Sequence, residues 1–193
     1  MIKLIFIRHG ATEGNLHHRY IGRTDEALCK LGVAQVEKLL QYHLHAEYII
    51  VSPTLRTKQT AQILFPGKDQ MYVEDLKETN FGIFEGKNAE DLCGCAEYRV
   101  WVDSGCVDQI PGGESVPDFK KRCCRAFMTV LHGIPDGASV AFVVHGGVIM
   151  AILEAFARPL RNFYEYHIGN GEYVMCQFED GMIFLDDQDR WSR

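Results

Sequence analysis

Two histidines and an arginine stand where apolar runs of the sequence stop. Arg8 and His9 follow the run at 2–7, and His145 follows the run at 138–144. Ligands of open α/β sheets bind at the carboxyl ends of the strands. A guanidinium offers forked donors to a phosphate or carboxylate, and a neutral imidazole can be a nucleophile. The pattern predicts an anion site with a nucleophile, although Arg8 and His9 alone would equally suit a solvated strand end.

A second arginine follows a third predicted strand. The strand at 48–51 ends in Ser52 and Pro53, and a helix is expected over 54–64. Ser52 suits the N-cap of this helix, and proline suits its first turn. Arg56 lies in the opening turn and should point back toward the strand ends. The sequence thus predicts that Arg56 joins the residues at the other two strand ends.

The position of His145 also favours an anion. A helix is expected at 148–157, so His145 precedes a helix N-terminus. The free amide hydrogens and the dipole of such a terminus attract negative charge.

Composition limits the function classes. The chain has 193 residues and a net charge of −6, which argues against a general nucleic-acid binder. No apolar run reaches the ~18 residues of a membrane span. The start at 1–7 is interpreted as a strand rather than a signal peptide, so a cytoplasmic protein of one domain, 1–193, is expected. The sequence leaves the oligomeric state open.

The seven cysteines are interpreted as reduced thiols, because no secretion signal is recognised. Cys93, Cys95 and Cys106 lack the paired spacing of structural zinc sites, and we expect neither a metal nor a cofactor.

Strands and helices alternate along the chain. This order predicts an α/β three-layer sandwich, with a mostly parallel sheet, helices on both faces and an antiparallel edge. The edge is expected from a hairpin of 172–178 and 182–185, joined by Asp180-Gly181. Helices are also expected at 31–43, at 88–103 in short pieces and at 116–131, the last capped by Ser115. The predicted core residues of the first helix are Leu31, Ala34, Val36, Leu39 and Leu40.

Five blocks in register resemble the histidine phosphatase superfamily, the phosphoglycerate-mutase-like enzymes, over nearly the whole chain. Five matches in the same order make chance a poor explanation. The blocks are Arg8–Asn15, Ser52–Ala61, Leu76–Gly86, Gly112–Ser115 and His145–Gly147.

The resemblance implies a phosphoglycerate-mutase-like fold and a mechanism. His9 would attack phosphorus to give a phosphohistidine, while Arg8, Arg56 and a protonated His145 gather the charge of the phosphoryl oxygens. His9 must stay neutral, for example through a backbone carbonyl that orients its other ring nitrogen.

The family pattern also favours Glu78 as the general acid. Its competitor Glu85 is expected to shape the loop instead. Asn15 and Gly146 are expected at the phosphate. Thr12 would either join them or bond the loop backbone. Cys29 stands where relatives place a capping threonine, and a lost helix cap is expected.

The resemblance allows more than one activity. Because only a short segment, 87–110, separates the acid block from the later Gly-Gly-Glu block, we expect a metal-independent phosphomonoesterase rather than a mutase. Its substrate would be a small phosphorylated metabolite. The compact length and the run Phe81–Lys87 resemble the α-ribazole phosphatase branch, which suggests α-ribazole 5'-phosphate. The alternatives are a cofactor-dependent phosphoglycerate mutase-type transferase and a non-catalytic phospholigand-binding protein.

Overall fold

A computed structural model describes residues 1–185 and arranges seven strands in a single sheet. The spatial order of the strands is β3-β2-β4-β1-β6-β7-β5. Their bounds are β1 Ile2–Arg8, β2 Tyr48–Val51, β3 Gln70–Tyr72, β4 Ser139–Val144, β5 Ala157–Arg158, β6 Tyr173–Glu179 and β7 Met182–Leu185.

The helices lie between the strands along the chain. Their bounds are α1 Glu13–Leu16, α2 Lys30–Lys38, α3 Leu55–Leu64, α4 Ala96–Asp103, α5 Val116–His132 and α6 Gly146–Phe156. Short 3₁₀ segments cover Leu39–Tyr42, Glu74–Leu76, Gly82–Phe84 and Phe163–Tyr166.

The sheet is mixed and mostly parallel, as predicted. β1 pairs in parallel with β4, which continues in parallel through β2 to β3. On its other side β1 pairs antiparallel with β6, which forms the predicted hairpin with β7. The two-residue strand β5 adds a last, parallel neighbour to β7. The parallel strands β1, β2 and β4 therefore end at the same edge.

Helices cover both faces of the sheet. Successive side chains of a strand point to opposite faces, and in this sheet both sets are apolar and need to be buried. Leu4 and Phe6 of β1 point to one face, where they pack in a core with α5 and α6. Ile5 and Ile7 point to the other face, toward α2 and α3. The central strand is buried on both sides, which explains its continuous apolar sequence.

Helix α2 differs from its prediction. The α-helix ends at Lys38 and continues as a 3₁₀ turn, and Leu31, Ala34 and Leu40 are exposed rather than core residues. Gly32 faces inward instead, since a Cβ at Gly32 would collide with the backbone of Ala11. This close approach rotates the helix, and the predicted core residues Val36 and Leu39 follow Gly32 on the buried face.

Two predictions about helix caps, a lost cap at Cys29 and a cap at Ser52, are also wrong. Cys29 does cap α2, because its Sγ accepts a hydrogen bond from the Gly32 N–H at 3.4 Å. Ser52 does not cap α3, whose N-cap residue is Thr54. Ser115 caps α5 as predicted, accepting from the Asp118 N–H at 3.2 Å. Of the helices expected at 88–103, only α4 is α-helical.

Candidate active site

Strand pairing brings the two histidines together. Arg8 lies opposite Val144 in the parallel register of β1 and β4, and the His9 N–H donates to the Val144 carbonyl at 3.1 Å. His9 and His145 are thus the first residues beyond two adjacent strands. Their ring centroids are 5.1 Å apart. The register of β1 and β4 therefore brings the two imidazoles together, as predicted.

Hydrogen bonds define the tautomer of His9. Nδ1 lies 2.7 Å from the Gly10 carbonyl, which can only accept, so Nδ1 carries the proton. The Nε–H of Arg56 donates to Nε2 across 3.3 Å, which requires a lone pair on Nε2. Burial, and then the charges of Arg56 and Arg8, lower the pKa of His9 well below its ordinary value. His9 is therefore neutral, with its lone pair on Nε2, the nitrogen that faces Arg56.

His145 is held through one ring nitrogen. Its Nε2 is 2.8 Å from the hydroxyl of Ser52, the residue that follows β2. Among the described residues, Nδ1 of His145 is buried without a hydrogen-bond partner. Burial, followed by the charges of Arg56 and Arg8, lowers the pKa of His145 well below its ordinary value. The expected protonated His145 therefore does not describe the free protein, because a cation there is disfavoured by its desolvation and its neighbours.

The two arginines are fixed by backbone carbonyls. Arg56 is completely buried and donates to the carbonyls of Gly22 at 2.9 Å and Thr24 at 2.8 Å. Arg8 donates from Nη1 to the Ile168 carbonyl at 2.6 Å, while its Nε is buried and unpartnered within residues 1–185. Burial lowers the pKa of both guanidiniums, which nevertheless stay charged because arginine starts so high.

Glu85 organises the loop that Arg56 holds. Its carboxylate accepts hydrogen bonds from the N–H groups of Gly22, Arg23 and Thr24 at 3.2, 2.7 and 3.3 Å. This agrees with the predicted role of Glu85 in shaping the loop. The side chains of Arg19 and Arg23 are exposed on that loop.

Glu78 lies at the N-terminus of α6. Its Oε2 accepts from the Gly147 N–H at 3.0 Å, and its Oε1 accepts from the Thr79 N–H at 2.9 Å. Its charge also acts on Arg8 and Arg56, opposing the loss of basicity that burial causes in their pKa values. The structure thus brings Glu78 to the same strand ends as the two histidines.

Glycines allow this close packing. A Cβ at Gly147 would overlap the Glu78 carboxylate, and one at Gly146 would lie 3.2 Å from Cζ of Arg8. Gly146 therefore lies against the Arg8 guanidinium, at the first residue of α6, which begins two residues before the predicted start at 148.

Thr12 and Asn15 form a capping box at α1. The fully buried Thr12 accepts from the Asn15 N–H at 3.3 Å, and Oδ1 of Asn15 accepts from the Thr12 N–H at 3.1 Å. For Thr12 this favours the structural alternative. Asn170 was missed: its Nδ2 donates to the His9 carbonyl and to Asn15 Oδ1, both at 3.2 Å. No local pattern marks this asparagine, which reaches the site from the other end of the chain.

Two further properties concern the whole described region. None of the helices that the structure describes has the length and hydrophobicity of a membrane span. Across residues 1–185 no group of three or more His, Cys, Asp or Glu side chains is arranged to hold a metal ion.

Known proteins are similar to this chain in sequence. A protein of Escherichia coli O1:K1 named Probable phosphoglycerate mutase GpmB is 31% identical over 152 residues, covering 76% of this chain and 70% of its own length. The Adenosylcobalamin/alpha-ribazole phosphatase of Salmonella typhimurium LT2 is 27% identical over 195 residues, covering 95% of this chain and 94% of its own.

Solved structures share the fold. The alpha-ribazole phosphatase from Shigella flexneri superposes with a TM-score of 0.86 at 21% identity, covering 95% of this chain and 94% of its own. A phosphoglycerate mutase from Thermus thermophilus has a TM-score of 0.73 at 28% identity, covering 94% of this chain and 95% of its own.

The family model described as Histidine phosphatase superfamily (branch 1) matches residues 4–188, nearly the full length. The chain belongs to the histidine phosphatase superfamily, branch 1.

Proposed function

We propose that this protein is a phosphomonoesterase that hydrolyses a small phosphorylated metabolite through a phosphohistidine at His9. The observation that carries the proposal is the lone pair on Nε2 of His9, which faces the charged Arg56, while the charge of Arg8 acts on the same imidazole. A neutral nitrogen beside fixed cations suits attack on a phosphoryl group, because those cations stabilise charge on its equatorial oxygens.

In the first step Nε2 of His9 attacks phosphorus, and the bond from phosphorus to the ester oxygen breaks. Unpartnered buried donors are available to the phosphoryl oxygens at Arg8 Nε and, in its protonated form, at His145 Nδ1. A bound dianion counters the positive field of the arginines and so favours the His145 cation that the free protein disfavours. Glu78 in its acid form transfers its proton to the departing alkoxide.

In the second step water attacks the phosphohistidine. The carboxylate of Glu78 takes a proton from the water, the N–P bond breaks, and inorganic phosphate leaves with His9 restored. Glu78 ends protonated, ready for another turnover. One carboxyl group thus serves as acid and then as base, which its place at the N-terminus of α6, beside Gly147, supports.

Hydrolysis is favoured over transfer by the short segment between the acid loop and α5. Within 87–110 the only α-helix is the eight-residue α4, which offers little chain to shield a phosphoenzyme from water. A phosphoglycerate mutase-type transferase is the second candidate, favoured by the 31% identity to the Escherichia coli relative of that name. α-Ribazole 5'-phosphate is the proposed substrate, since the Salmonella phosphatase aligns over 95% of the chain.

Two measurements test the proposal. His9→Ala should abolish both turnover of p-nitrophenyl phosphate and formation of an acid-labile phosphoprotein, and activity of the wild type should persist in excess EDTA. His17→Ala, an exposed histidine of the same loop, is the control and should behave as wild type. Continued labelling of His9→Ala would place the nucleophile elsewhere.

A substrate panel separates the two activities. Release of phosphate from α-ribazole 5'-phosphate with the highest kcat/KM supports the phosphatase. Interconversion of 2- and 3-phosphoglycerate that outpaces phosphate release would favour the mutase instead.

A further inference from the structure

Arg122 of α5 lies behind the loop that carries Glu78. Only 14% of its side chain is exposed. Its Nη1 donates to the carbonyls of Asp75 at 2.8 Å and Lys77 at 3.0 Å, and its Nη2 donates to the carbonyl of Glu78 at 3.4 Å. A single guanidinium thus binds three carbonyls within four residues of the acid loop.

The same guanidinium forms a forked pair with Glu114. Nε and Nη2 of Arg122 donate to the two carboxylate oxygens at 3.2 and 2.7 Å. Oε1 of Glu114 also accepts from the Asn80 N–H at 2.7 Å, and the Glu114 N–H donates to the Asn80 carbonyl at 3.0 Å. The pair therefore binds the loop on both sides of Glu78. The bonds before Glu78 are to the carbonyls of Asp75 and Lys77, and those after it are to the backbone of Asn80.

The acid loop also packs tightly against the segment that precedes α5, which restricts its movement. A Cβ at Gly82 would collide with the Pro111 carbonyl, and one at Gly113 would collide with that of Asn80. The segment before α5 and the acid loop are consequently in direct backbone contact, and Arg122 braces them from the helix.

We propose that Arg122 and Glu114 are positioning residues that hold Glu78 at the phosphoryl group; the inference rests on the role of Glu78 in the proposed function. The fork geometry matters as well as the charge. Arg122 uses all three of its nitrogens, to two carboxylate oxygens and three carbonyls, whereas a lysine ammonium has three donors at one point. Arg122→Lys keeps the charge and loses most of this bracing.

The helix offers a matched control. Arg125, one turn along α5, reaches the same segment through the Asp75 side chain at 2.9 Å, but this pair is exposed. Exposed ion pairs contribute little to stability or position. Arg125→Lys should therefore leave catalysis unchanged.

Kinetics with two leaving groups test the inference. An alkyl phosphate needs a proton from Glu78, and p-nitrophenyl phosphate needs little protonation. For Arg122→Lys we expect kcat on the alkyl ester to fall by about 100-fold, because a misplacement of roughly 1 Å is enough to slow a reaction by that factor. The kcat on the nitrophenyl ester and both KM values should stay near wild type, and Glu114→Gln should show the same split.

The outcomes separate this inference from the proposed function. If Glu78→Gln slows both esters equally, the acid role of Glu78 fails, and the positioning role fails with it. If Glu78→Gln is selective and Arg122→Lys slows both esters equally, the positioning role alone is refuted. In the Glu78→Gln background, adding Arg122→Lys should cost no further selectivity. If Arg122→Lys does not fold, as judged by thermal unfolding, Glu114→Gln decides by the same criterion.

Discussion

Gly147→Ala is expected to remove acid catalysis without weakening the fold. The added Cβ would fall inside the contact distance of Glu78 Oε1 and would lie 3.1 Å from Cδ and 3.2 Å from Oε2. All three atoms are at the far end of a flexible side chain, so the carboxylate can move. It must retreat by roughly 1 Å, and a displacement of that size typically costs a reacting group about 100-fold in rate.

The stability of Gly147→Ala should change little. Gly147 is the second residue of α6, and alanine is favoured over glycine inside a helix by roughly 0.5–1 kcal/mol. The gain is offset by stretching the 3.0 Å hydrogen bond from the Gly147 N–H to Glu78. We therefore expect a melting temperature close to wild type, which separates a displaced acid from an unfolded protein.

The assay compares an alkyl phosphate with p-nitrophenyl phosphate in Gly147→Ala and the wild type. The alkyl ester should lose about 100-fold in kcat and the nitrophenyl ester much less, since only the former needs the proton. Gly94→Ala, where a Cβ would meet nothing within 4 Å, is the control. A Gly147→Ala enzyme with the wild-type ratio between the two esters would refute the assignment of Glu78 as the acid.

Two further predictions concern stability. The pKa values of His9 and His145 are depressed in the folded state, so the unfolded chain binds more protons below pH 6.5 and the free energy of unfolding should fall as pH decreases from 7 to 5. Replacing both histidines by Ala should flatten this dependence in thermal melts across pH; an unchanged slope would contradict the depressed values. Glu85→Gln should lower the free energy of unfolding by about 1–3 kcal/mol in denaturant titrations, because N–H groups of the loop at 22–24 lose a charged acceptor. A change below about 0.5 kcal/mol, the usual size for surface sites, would show that Glu85 does not organise that loop.

Much of the site was predictable because it follows buried strands. Apolar runs that stop at Arg8 and His145 locate the strand ends, and parallel pairing of adjacent strands then places these residues at one edge. The role of Glu85 was also predicted correctly. Glu78 needed the family resemblance, because a loop carboxylate carries no periodic signal of its own.

Other features could not be predicted because they depend on contacts between distant segments. Ser52 resembles a helix cap in sequence, yet its hydroxyl bonds His145, 93 residues away. Leu31 resembles a core residue, yet the contact of Gly32 with Ala11 rotates it into solvent. A positive charge on His145 was expected from its role at the phosphoryl group. The pKa that decides this charge is lowered by burial beside two guanidiniums, which only the folded chain brings together.

The sequence by itself determined the alternation of strands and helices, the edge where chemistry occurs and the residue types gathered there, since these follow from hydrophobic period and chain order. Tertiary structure alone decided which ring nitrogen of His9 carries the lone pair, that burial and the arginines lower the pKa of His145, and that Arg122 and Glu114 contact the acid loop. Those properties arise from hydrogen bonds and desolvation between segments far apart in the chain, and local sequence does not encode such distances.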